Sequence, residues 1–132
     1  MSDHRTAAAY IRVSTDEQSE LSPDSQLSVI RDYASRNGCV IPEEHIYVDE
    51  GISGRTAAKR PAFNRMIAAC KRGRIDLILT KSLSRFSRNT LDCLDVVRTL
   101  KEQGIGVIFE KENINTLTQT SEFMMTLFSG FA

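Results

Sequence analysis

The chain has 132 residues, enough for one domain around a single core and too few for two ordinary ones. Hydrophobic residues make up 41% and charged residues 26%, as in a water-soluble globular domain, and no apolar run nears the roughly 20 residues that span a membrane. Formal net charge is zero, so charge alone favours no anionic partner, but Asp49 to Lys101 gathers twelve Lys or Arg against five Asp or Glu and can present a basic face. Cys39, Cys70 and Cys93 are odd in number and widely spaced, which argues against a disulfide framework or a zinc site and for small buried side chains in a reducing, cytoplasmic setting. The first residues carry no cleavage-site pattern, so no signal peptide is expected. His4 and His45 stand alone and are expected at the surface rather than as ligands.

Ala7 to Val13 predicts a buried strand. Ser22-Pro23-Asp24 then supplies an N-cap and a first-turn proline for a helix through Leu27, Ile30, Tyr33 and Ala34, which Asn37-Gly38 stops. Glu44 to Asp49 is a second strand with Ile46 and Val48 alternating, and Glu50 to Arg60 a mobile loop. Pro61 opens a helix with Phe63, Met66, Ile67 and Cys70 on one face, ended by Gly73. Ile75 to Thr80 is a third strand. Asn89 or a neighbour caps a helix carrying Leu91, Leu94, Val97 and Leu100, closed by Gly104, before a fourth strand at Ile105 to Phe109. A last helix begins near Thr118 to Ser121. Strict alternation implies an α/β domain of three layers, with a mainly parallel central sheet of four to five strands flanked by helices.

The last helix spreads Phe123, Met124, Met125, Leu127, Phe128 and Phe131 around much of its circumference. One core buries one stripe, so a partner chain or further sequence is expected to cover the rest.

Ligands of open α/β sheets collect at the carboxyl ends of the strands. No glycine-rich loop follows the first strand, so a phosphate there needs side chains rather than backbone amides. Arg12 and Ser14 fall on one side of an extended chain, setting a hydroxyl beside a guanidinium. The third strand runs into Lys81-Ser82-Leu83-Ser84-Arg85-Phe86-Ser87-Arg88-Asn89, where Arg85 and Arg88 share a face if they lie on one helical turn. Arg12, Arg85 and Arg88 converging on one phosphodiester would stabilise the charge of a pentacoordinate transition state without a metal. Taken singly, each side chain is better explained as a helix cap or a surface ion-pair partner; together they favour a phosphate site.

Tyr10-Ile11-Arg12-Val13-Ser14-Thr15, with Gln18 and Gln26 beyond it, resembles the first motif of the serine recombinases, the resolvases, invertases and large serine integrases. Val48-Asp49-Glu50-Gly51-Ile52-Ser53-Gly54, Arg60-Pro61-Ala62-Phe63 and Leu83-Ser84-Arg85-Phe86-Ser87-Arg88-Asn89 resemble their later motifs, in order and across nearly the whole chain. The resemblance implies a catalytic domain over residues 1–132, with Ser14 as the nucleophile that forms a 5′-phosphoserine link to DNA. Arg12, Arg85 and Arg88 would bind and activate the phosphate, and Gln26, Asp49, Arg60 and Ser84 would support them. It implies that no metal or other cofactor is required. It implies DNA as partner, and assembly of the full-length protein to dimers and a synaptic tetramer through the last helix (Phe123, Met124, Leu127, Phe128, Phe131). That helix is expected to be cut short at Ala132, with DNA-binding domains lying beyond. Small resolvases carry aspartate where this chain has Ser84, so an aspartate there is not essential to the chemistry and Ser84 is expected to hydrogen-bond instead. That serine and the long Ser19 to Ser25 connection are more similar to large serine recombinases and transposon-encoded relatives.

Two other function classes compete with this reading: a flavodoxin-like anion-binding or regulatory domain without strand cleavage, and a dimerisation module whose last helix is the working part.

Overall fold

The computed structural model describes residues 6–13, 22–50, 60–87 and 89–130. Expectations for His4, Ser14, Thr15, Gln18, Arg88 and Phe131, for the Ser19 end of the first connection and for the interior of the Glu50 to Arg60 loop concern residues outside that set.

Strand β1 (Ala7–Arg12) lies inside a five-stranded sheet, between β2 (Ile46–Asp49) and β3 (Leu77–Thr80). Beyond β3 come β4 (Gly106–Phe109) and the two-residue β5 (Ile114–Asn115), giving the order β2-β1-β3-β4-β5. The first four strands are parallel, and β5 returns antiparallel to β4 through a turn in which Asn113 takes φ 57°. Being covered on both faces, β1 and β3 read as continuous apolar runs. The order is that of a doubly wound sheet, which by itself does not separate a recombinase from a flavodoxin-like binder.

The two-residue period of β1 divides the core. Ala7, Ala9 and Ile11 face helix α1 (Pro23–Arg36), where Ile30 and Ala34 close over them together with Ile41. Ala8 and Tyr10 face the opposite side, shared by α2 (Pro61–Lys71), the single turn α3 (Leu83–Phe86), α4 (Thr90–Glu102) and α5 (Thr120–Gly130). Helices therefore flank the sheet on both sides, as expected. The caps are local: Ser22 accepts from Ser25 N at 3.2 Å, and Asn89 accepts from Asp92 N at 2.8 Å. Gly38 and Gly104 follow α1 and α4 at φ 71° and 79°, a region other residues enter only with strain.

Four expectations need correction. In the edge strand β2 the deeper positions are Tyr47 and Asp49, while Ile46 and Val48 are only partly covered on the α1 side. His45 is buried, because the 3-10 turn Glu43–His45 leads straight into β2 and folds it inward. Leu91 is exposed, and Cys93, Val97 and Leu100 form the buried stripe of α4 instead. Cys70 is also buried, whereas Cys39 is half-exposed.

The last helix divides. Phe123 and Leu127 are buried in the domain's own core, with Phe123 stacked on Phe109 at a centroid distance of 6.0 Å and 4° between planes. Met124 is partly covered, and Met125 and Phe128 are exposed. Phe123 and Leu127 are thus unavailable to a partner, since the one stripe that a single core can bury is theirs.

Candidate active site

From β1 the chain turns to α1 on one face, and from β3 to α3 and α4 on the other. The carboxyl ends of β1 and β3 consequently border the crevice where such sheets hold their ligands. Arg12 ends β1 there. Its Nη2 donates to the Ser84 carbonyl at 2.7 Å and its Nε to the Arg85 carbonyl at 3.3 Å. The first and last arginine-bearing motifs, more than seventy residues apart in sequence, are thus joined directly.

The acceptors have a physical reason to be there. The four-residue α3 leaves its final carbonyls without helical partners, and guanidinium donors satisfy them. A second arginine completes the set: Arg60 Nη2 donates to the Phe86 carbonyl through a short hydrogen bond. At the other end of α3, Glu112 Oε1 accepts from Leu83 N at 3.3 Å. Phe86, fully buried, anchors the turn between Phe63 and Phe109, with edge-on centroid distances of 5.4 and 5.6 Å. Helix α3 ends at Phe86 and Ser87 is extended; the shared face expected of Arg85 and Arg88 depends on Arg88, which lies outside the described residues. Arg85 is half-buried, and the exposed Ser84 pairs its hydroxyl with that of Ser82 at 3.2 Å.

Asp49 stands beside Arg12 in the β1–β2 register, but its carboxylate turns to α2. Oδ1 accepts from Ala62 N at 3.0 Å, and Oδ2 accepts from Phe63 N at 3.2 Å. This is the cap that Arg60, at the N-cap position, does not supply from its own side chain. The Tyr10 hydroxyl donates to Asp49 Oδ2 at 2.8 Å and accepts from Arg60 Nε at 3.2 Å. Burial holds the Tyr10 phenol far above its ordinary range, against the opposing pull of Arg60, so it stays a proton donor. Arg60 is 5% exposed, with its guanidinium 3.8 Å from the Phe63 ring centroid and 4.0 Å from Asp92. Gln26 is buried on the first turn of α1.

Of the site residues expected from sequence, the structure brings Arg12, Ser84 and Arg85 together at one edge, with Asp49 and Arg60 buried beneath. The strand period already placed Tyr10 on the face of Arg12, so its part was open to a closer reading. Glu112 and Phe86 act through tertiary contacts that no local pattern signals. Among the described residues, no group of three or more His, Cys, Asp or Glu is placed to hold a metal ion, and no helix is long and apolar enough to cross a membrane.

Comparison with known proteins gives a consistent picture. The family model described as the resolvase N-terminal domain matches residues 7–132. A resolvase of Clostridium perfringens (strain 13) is 31% identical over 129 residues, which cover 93% of this chain and 60% of that protein. The serine recombinase PinR of Escherichia coli K12 is 32% identical over 126 residues, covering 94% of this chain and 59% of that protein. The chain therefore spans about 60% of the length of these curated relatives. Among solved structures, the N-terminal catalytic domain of TP901-1 integrase superposes with a TM-score of 0.78 at 30% identity, covering 96% of this chain and 92% of that one. A resolvase family site-specific recombinase from Streptococcus pneumoniae gives 0.73 at 25% identity, covering 96% and 85%.

Proposed function

The chain belongs to the resolvase N-terminal domain family, and on that footing we propose that it is the catalytic domain of a serine-type site-specific DNA recombinase. The observation that carries this reading is the Arg12 guanidinium seated on the Ser84 and Arg85 carbonyls, which brings the strand leading to Ser14 against the segment bearing Arg85. A permanently charged cluster at a strand edge suits a phosphodiester, whose oxygens match the guanidinium fork.

In the proposed reaction, Ser14 Oγ attacks the scissile phosphorus. The bond from phosphorus to the 3′-oxygen breaks, the serine proton is lost, and the departing 3′-oxygen takes up a proton. The product is a 5′-phosphoserine ester and a free 3′-hydroxyl. Arg12, Arg85 and Arg88 stabilise the added charge on the transition state. After strand exchange, attack by a 3′-hydroxyl reverses the step. The ester conserves the bond energy, so neither metal nor nucleotide cofactor is required. DNA is the partner, and the cytoplasm the compartment in which it is met. The full-length protein self-associates through the exposed side of the last helix, where Phe128 stands clear of the core and Met124 is partly free.

The test is a trapping assay with the full-length protein on its nicked or mismatched recombination site. The expected result is a protein–DNA adduct that disappears in Ser14→Ala. DNA binding without an adduct, under conditions that trap related recombinases, would sink the nucleophile assignment. The flavodoxin-like alternative, an anion binder without cleavage, predicts that second result and is not favoured by the family match.

A further inference from the structure

We propose that Arg60 is a positioning residue for strand cleavage rather than a ligand of the DNA phosphate, acting through the Phe86 carbonyl on the segment that carries Arg85. This rests on the recombinase reading above.

A guanidinium that grips a phosphate needs a side accessible from solvent, as the half-buried Arg12 has. That of Arg60 is enclosed instead. It is 5% exposed, and one flat face lies on the Phe63 ring. Nε donates to the Tyr10 hydroxyl, Nη2 donates to the Phe86 carbonyl, and Nη1 faces Asp92. Reaching a phosphate would mean withdrawing from the aromatic cluster and leaving two buried acceptors without their donor.

What Arg60 does reach is informative. The carbonyls of Ser84 and Arg85 are held by Arg12, and that of Phe86 by Arg60. Three successive carbonyls are therefore pinned by side chains from β1 and from the start of α2. The backbone of Arg85 cannot shift against β1 without breaking them. Tyr10 completes the linkage, since one hydroxyl accepts from Arg60 and donates to Asp49, which in turn caps α2. Asp49, Tyr10, Arg60 and Phe86 form one buried line from the edge strand to the arginine motif. Groups that act as a unit lose their effect together, which gives the proposal a distinctive signature.

The experiment uses the full-length protein and compares Arg60→Gln, Tyr10→Phe, the double variant and Arg85→Ala. Single-turnover adduct formation at saturating protein and the salt dependence of DNA binding are both measured, each per folded molecule. Arg60→Gln and Tyr10→Phe are each expected to slow adduct formation by about tenfold or more, and the double variant to be no slower than the worse single within about threefold. The salt slope of Arg60→Gln should equal that of the wild type, whereas Arg85→Ala should lower it by about one. A slope lowered by about one in Arg60→Gln, or fully multiplicative losses in the double variant, overturns the proposal. Should Arg60→Gln fail to fold, Tyr10→Phe decides alone, because it keeps the ring and the Arg60 charge and removes only the hydroxyl with its two hydrogen bonds, to Asp49 and from Arg60. Wild-type cleavage rates in Tyr10→Phe then overturn it. Failure of the wild type to form any adduct overturns the recombinase reading, and this inference with it. An adduct in the wild type with a lowered slope in Arg60→Gln overturns this inference alone.

Discussion

The Tyr10 hydroxyl and the Asp49 carboxylate meet at 2.8 Å across the β1–β2 pair, so the side chain two residues before Arg12 is tied to the residue that caps α2. The bond couples a central strand, an edge strand and a helix start at one end of the sheet. It also explains why a carboxylate can be buried there: three protein donors surround it.

Removing that carboxylate should be costly. Asp49→Ala deletes a helix cap and strands a buried tyrosine hydroxyl, which together destabilise the domain by about 2–4 kcal/mol. Asp49→Asn keeps an acceptor and should lose less. Denaturant midpoints at constant slope measure both. Equal midpoints for Asp49→Ala and the wild type would contradict the capping role.

Burial pushes the Cys70 and Cys93 thiols up to about 11, with the Ser87 hydroxyl partly offsetting the effect at Cys93. In the unfolded chain both thiols ionise near their ordinary value, roughly 8.5. Folding therefore favours the protonated thiols, and the stability they contribute is complete below the unfolded value and lost as pH rises to about 11. Tyr10, also raised by burial, extends the decline upward. Unfolding midpoints followed from pH 8 to 11, against a Cys70→Ala and Cys93→Ala pair, should show a shallower fall in the variants. A thiol reagent at neutral pH should label the half-exposed Cys39 first and reach the other two only on denaturation.

On the last helix, Phe123 and Phe128 should behave oppositely. Phe123→Ala removes a ring stacked on Phe109 in the core, at about 3–5 kcal/mol. Phe128→Ser, on an exposed side chain, should change stability by less than about 0.5 kcal/mol while weakening self-association of the full-length protein. Sedimentation and thermal unfolding separate the two effects. Unchanged association in Phe128→Ser would remove this side of the helix from the assembly surface.

Gly106 opens β4 against the turn after β5. A Cβ there would stand 2.8 Å from Leu117 Cγ and 2.9 Å from its Cδ1. Gly106→Ala should destabilise by about 1–3 kcal/mol, the cost of displacing a packed leucine, and Gly106→Ala/Leu117→Ala should recover part of it. Additive losses in the double variant would show that the clash is relieved without cost.

Much of this protein was legible along the chain. Periodicity and caps are local, so the four parallel strands, the helices at Pro23, Pro61 and Asn89, and the parallel α/β class followed from neighbours within a few residues, whereas the two-residue β5 carries no such period. Family-like motifs singled out Arg12, Arg85 and Asp49 as candidates for one site, and the fold brings them to one end of the sheet. Tertiary structure decided what each side chain does in the folded domain. A sequence motif records that an arginine or aspartate is present, but not which acceptor lies within 3 Å of it. The motifs gave Arg60 and Asp49 only as supporting residues, and the fold shows what each touches: Arg60 is buried against Phe63, and Asp49 caps α2. The last helix shows the same division. Its apolar content was plain from composition, while the split between a core stripe at Phe123 and Leu127 and an open side at Met125 and Phe128 depends on where β4 and α4 meet it. Hydrogen bonds and packing act over a few ångströms in space, and residues 12 and 85, or 49 and 62, become neighbours only once the sheet has been assembled.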